Sequence, residues 1–334
     1  MSSEIYNQNY GRSIYNLRLN SLTFSATKNK LWQKTEPDSF SYAPVEGVPI
    51  DTKAKIFSNE LIRLVDRKQA TPAKINQALS KYLPNTKIQL VSMNDYDEFG
   101  MNTKKNVAAA TRPIYDKNGI LQELKIFVPE LEYGDKISEN KYIENLTHEV
   151  THAMQFAEDK DIHLNRQKTP EGHFYNFYQQ NVANMLIDTM VQRILVTLAK
   201  RDKIEMNTLA DYDKFIEQPC LEITDEEVKN IFINENSCSF DDYIKTGFDV
   251  YMAELMHKMQ VENDVIAQKL IEDAGGLDAF KQKVMKMTAL TLRNEEEAYK
   301  AGANARKTAR NFVGRDYNDA IWQVIGLTSD ALYS

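Results

Sequence analysis

The feature that most constrains this chain is a change of hydrophobic period near residue 130. Over the roughly 40 residues before it, from Lys87, apolar residues fall in short strand-like runs; after it, they recur at the three-to-four-residue spacing of helices almost to the end. Lys87 to Met93 (KIQLVSM) puts Ile88 and Leu90 on one side, as a strand does. Residues 106–115 and 120–128 flank Asp116-Lys117-Asn118-Gly119, whose Asn-Gly pair supplies the positive-φ residues of a hairpin turn. Pro113 has no amide donor, so its strand is predicted at a sheet edge or at a bulge. Together these runs predict a small sheet of about three strands.

Helices are predicted over 52–66 and from Thr71-Pro72, where Thr caps and Pro takes the first helical position. Another starts from a cap at Ser138, with Ile143, Leu146, Val150, Ala153 and Ala157 on one stripe. Helical runs continue over 173–201, 225–233, 240–270, 277–310 and 316–332, and Thr224 with Glu227 spells a capping box. Residues 1–50 are rich in Asn, Ser and Tyr without a sustained period, and are predicted as a poorly ordered N-terminal arm. The expected fold class is therefore α+β, with a subdomain over 51–165 holding the sheet and the helix after it, and a large all-helical subdomain over 166–334.

Composition narrows the partners. Across 334 residues, 41 Lys and Arg stand against 48 Asp and Glu, a net charge of −7 that argues against nucleic acid, whose binding needs a basic surface. The most apolar stretch, Met185 to Leu198, is interrupted by Asp188, Gln192 and Arg193, short of the roughly 20 apolar residues of a membrane span. No basic region followed by an apolar core stands at the N-terminus, so the expected setting is the cytoplasm, or export by a route other than Sec. Cys220 and Cys238 read as two unpaired thiols of a reducing compartment, and oligomeric state is not written in the sequence.

The helix predicted after Ser138 contains His148-Glu149-Val150-Thr151-His152, an HExxH motif inside NLTHEVTHAMQ. With five histidines and 25 glutamates in the chain, chance would place this motif about 0.006 times, so its coincidence with an independently predicted helix carries weight. Residues i and i+4 share one helical face, so both imidazoles can bind one zinc ion per chain. Glu149 can then act as general base on an activated water.

NLTHEVTHAMQ resembles the active-site helix of zincin metallopeptidases. The resemblance covers about residues 86–160 and implies a zincin-like core, a small twisted sheet beside the HExxH helix, acting on protein or peptide substrates. It implies His148 and His152 as zinc ligands and Glu149 as the base. It also implies a strand along the cleft that pairs with an extended substrate, for which Val107 to Thr111 (VAAAT) is the candidate; the same run equally suits a closely packed strand.

Zincins differ in their third protein ligand. The metzincin pattern HExxHxxGxxH is not met, because Gln155 holds the glycine place and Glu158 the final histidine place, with His163 and His173 beyond that spacing. Gluzincins take a glutamate from a later helix, and Asn294-Glu295-Glu296-Glu297-Ala298-Tyr299 resembles such a segment, with Glu295 at the matching place. The residues themselves offer a rival in Asp188, which shares a polar stripe with Asn184 and Gln192 on an otherwise apolar helix. A carboxylate placed there calls for a cation, or else a partner such as Arg193. A transition-state donor would be a His, Tyr or Arg; His257 is one candidate, and 17 tyrosines leave the choice open.

The sequence thus points to a zinc metallopeptidase. Its alternative is a non-catalytic helical interaction protein with a structural or degenerate metal site, against which the intact Glu149 argues, since a structural site has no use for a base.

Overall fold

The computed structural model describes residues 47–83, 86–95, 109–116, 121–158, 170–233, 238–258 and 265–334. Residues 1–46 of the expected arm, the Asn118-Gly119 turn, Val107, Ala108 and His163 lie outside them. Among the described residues the fold is α+β and mostly helical, with one three-stranded sheet. Two compact units divide it, 47–158 with Glu297–Gly314, and 170–296 with Arg315–Ser334.

The first unit opens with α1 (Ile50–Asp66) and α2 (Pro72–Ser80). Buried Ala54, Phe57, Leu61 and Val65 recur along α1 at helical spacing, and the Thr71 side chain caps α2 by accepting from the Lys74 amide. In the sheet, β1 (Lys87–Ser92) runs parallel to the central β3 (Leu121–Val128), and β2 (Ala110–Tyr115) pairs antiparallel on its other side. Pro113 therefore sits on an edge strand, and the register shifts beside it between Ile114 and Tyr115, so both expectations for that residue are met. Leu124, Ile126 and Val128 of β3 pack in one core with α1 and with Ile143, Leu146, Val150 and Met154 of α3 (Lys136–Glu158).

Helix α3 begins two residues before the expected Ser138 cap. The Asp135 carboxylate accepts from the Ile137 amide at 3.1 Å and its carbonyl accepts from Glu139, so Asp135 caps the helix instead. Glu139 reaches back to the Gly134 amide at 3.0 Å. Burial works to raise the Glu139 carboxyl, but that amide and Lys136 outweigh it and hold the group below its ordinary value.

Among the described residues the second unit is helical apart from an isolated bridge between Pro219 and Asp316: α4 (Pro170–Arg201), α5 (Leu209–Ile216), α6 (Asp225–Phe232), α7 (Phe240–Lys258), α8 (Val265–Ala274), most of α9 (Leu277–Ala309) and α10 (Asp319–Tyr333). The Thr224–Glu227 capping box forms as expected at α6. Within the expected helical run over 240–270 the described residues hold α7 and the first part of α8, and residues 259–264 lie outside them. Helix α5 was not anticipated; it is short, and its capping box pairs Thr208 with Asp211 rather than with the usual Glu or Gln.

Tyr178–Arg201 within α4 is long and apolar enough to cross a membrane by composition, yet more than half of it is buried inside the protein, as in a core helix. Arg193 lies against the rings of Phe232 and Tyr243 and donates to the Tyr243 hydroxyl at 2.9 Å. Cys220 and Cys238 are both free thiols.

Candidate metal centre

Helix α3 turns His148 and His152 onto one face, and their Nε2 atoms stand 3.1 Å apart. The rings meet edge to face, 78° between planes, so ring nitrogens converge rather than ring faces. Two imidazole nitrogens at the roughly 2.0–2.1 Å of a tetrahedral zinc would lie about 3.3 Å from each other, so this pair is spaced for a single ion. Both rings are half-buried.

Glu295 on α9 completes the group. One carboxylate oxygen and the two imidazole nitrogens lie within 4.8 Å of one another, a donor set that could hold a metal ion. Among the described residues no other group of three His, Cys, Asp or Glu meets that condition. Asp188 is not a member; it is half-buried on α4 near Tyr251, whose phenol is pushed up chiefly by burial, with the Asp188 charge adding to it. His257 is exposed on α7.

The C-terminal part of α9 lies close on α3 because residue 302 is glycine. A Cβ there would come within 2.9 Å of the Glu144 carbonyl oxygen and 3.5 Å of His148 Cβ. One turn after Glu295, the Tyr299 ring meets the His148 ring edge to face with centroids 4.6 Å apart. Further along, Arg306, 1% exposed, pairs with Glu144 of α3 at 2.5 Å. The contacts of residues 299, 302 and 306 with α3 keep this part of α9 in register on the histidine helix.

Glu149 is buried, and a hydroxyl from the sheet holds it. Thr111 Oγ1 on β2 lies 2.8 Å from Glu149 Oε2 and 2.8 Å from the Glu149 carbonyl oxygen. Thr111 ends the run expected to border the cleft, and its contact with the motif glutamate had no signal in the sequence.

Gln155 and Glu297 are the other residues sequence reasoning missed. Gln155, noted only as a departure from the metzincin glycine, places Oε1 2.8 Å from His152 Nδ1 and donates through Nε2 to Glu297 Oε2 at 2.8 Å. Its place three residues after His152 on a helix was the available clue. The acidic run thus divides among different partners: Glu295 joins the histidines, Glu296 accepts from Arg293 at 3.3 Å, and Glu297 accepts from Gln155.

Compared with known protein families, with curated proteins and with solved structures, the chain matches none.

Proposed function

We propose that this protein is a zinc-dependent metallopeptidase built on a zincin-like core. The observation that carries the reading is the grouping of His148, His152 and Glu295, whose candidate ligand atoms lie within 4.8 Å of one another, with the buried Glu149 in the same motif as the two histidines. Two imidazoles and one carboxylate, leaving a fourth position open, make the donor set of a catalytic zinc. A zinc ion held there supplies a Lewis acid and acidifies water toward neutral pH.

The remaining work falls to the chain's own residues. Glu149 takes a proton from the attacking water at its carboxylate and returns it to the leaving amine. The Thr111 hydroxyl, 2.8 Å from Oε2, holds that carboxylate in one orientation. Substrates in this reading are proteins or peptides, for which β2 offers a sheet edge that an extended chain could join.

The test is metal analysis and peptide cleavage on the full chain and on Glu149→Gln. The expected result is about one zinc per chain in both proteins, unchanged circular dichroism, and turnover lower by about 10²–10⁴-fold in the variant. Absence of zinc after reconstitution, or unchanged turnover in Glu149→Gln, overturns the proposal. Zinc without cleavage of any member of a proteome-derived peptide library favours the interaction-protein reading.

A further inference from the structure

We propose that Gln155 and Glu297 form a polarity relay that dictates which nitrogen of His152 carries the proton, and so readies Nε2 for a metal. The inference rests on the metal-binding part of the reading above and is independent of peptide hydrolysis.

Gln155 Nε2 donates to Glu297 Oε2 at 2.8 Å, so the amide turns its NH2 toward Glu297. That leaves Gln155 Oε1 facing His152 Nδ1 at 2.8 Å. An amide oxygen only accepts, so Nδ1 must be the protonated nitrogen and Nε2 carries the lone pair. Nε2 is the atom that faces His148 Nε2 at 3.1 Å. Gln155 is 4% exposed, so water cannot readily replace either of its bonds.

Turning the amide over would reverse every sign. An NH2 facing Nδ1 would demand a lone pair there, move the ring proton to Nε2, and block the metal with no change in the path of either helix. Gln155 and Glu297 are therefore positioning residues that act through His152.

The test is a competition titration with a zinc chelator on the full chain, alongside ¹⁵N chemical shifts of the imidazoles in metal-free protein. Glu297→Lys presents a group that only donates; it takes the amide oxygen and turns the NH2 toward Nδ1, so zinc affinity should fall about 10–100-fold. The double variant Gln155→Glu with Glu297→Lys places between ammonium and imidazole a carboxylate that accepts from both, and affinity should return to within a few-fold of wild type. A merely structural role for these residues would leave the double variant no better than Glu297→Lys. Wild-type affinity in Glu297→Lys, or no recovery in the double variant, overturns the relay.

The nitrogen shifts keep the relay separate from the metal reading. If wild-type protein binds no zinc, the metallopeptidase proposal falls, and a proton on His152 Nδ1 would still support the relay. A proton on His152 Nε2 in the wild type overturns it whatever the metal result.

Discussion

Helices α3 and α4 are central to their respective units, and they fill their buried positions differently. Beside its apolar stripe, α3 buries Glu139, Asn140, Thr147, Glu149, Thr151 and Gln155. The buried side of α4 is almost wholly apolar, with Val182, Leu186, Met190, Ile194 and Leu198 among its members. A buried polar group needs a partner in a particular direction, whereas a buried aliphatic group needs only matching volume. Gly134, Thr111 and Glu297 supply those directions to Glu139, Glu149 and Gln155. Helix α3 is thus specified by geometry and α4 by volume, so damage to the two should be read out in different measurements.

The largest expected effect tests whether the metal group ends at α9. Glu295→Ala should weaken zinc affinity in a chelator competition by more than the 10–100-fold of an outer-sphere change, about 10³-fold, while Asp188→Ala leaves it unchanged. Equal losses in both variants would erase the distinction between the helices. Next in size, Ile194→Ala in α4 should cost about 2–5 kcal/mol in denaturant unfolding, with zinc affinity unchanged. Loss of metal in that variant would show that volume in the helical unit also sets the site.

Gly302→Ala acts on both stability and the metal group, because its methyl group would meet the Glu144 carbonyl oxygen at 2.9 Å. Separating α9 from α3 should cost about 1–3 kcal/mol and weaken zinc binding as well, since one helix carries both residue 302 and Glu295. A stability loss without a change in zinc affinity would show that this close approach does not position the third ligand. The smallest effect belongs to Thr224→Ala, which removes the α6 cap; about 1 kcal/mol of stability should be lost, with metal binding and cleavage intact.

Local patterns carried much of this into view. The Thr224 cap, the edge placement of Pro113 and the extent of α9 depend on neighbours within a few residues, so their physics is complete in a short stretch of chain. The HExxH face is of the same kind, because i and i+4 positions meet on any helix. Helix α5 escaped because eight residues hold barely two turns of period, too little to stand out from a loop. The helix starts ahead of Ser138 because a second acceptor stands close by, and it is the Asp135 carboxylate that takes the Ile137 amide.

By itself, the sequence determined that two histidines and a glutamate share one helix, that a small sheet precedes them, and that an acidic run waits on a later helix. Only the tertiary structure decided that Glu295 rather than Glu296 or Glu297 meets the histidines, that Thr111 holds Glu149, and that Glu297 acts through Gln155. Adjacent residues on a helix point about 100° apart, so which of three consecutive carboxylates faces a given partner depends on how the helix is rotated about its axis. That rotation is set by contacts more than a hundred residues away in the chain, among them Gly302 against Glu144 and Arg306 with Glu144, and no window of local sequence contains them.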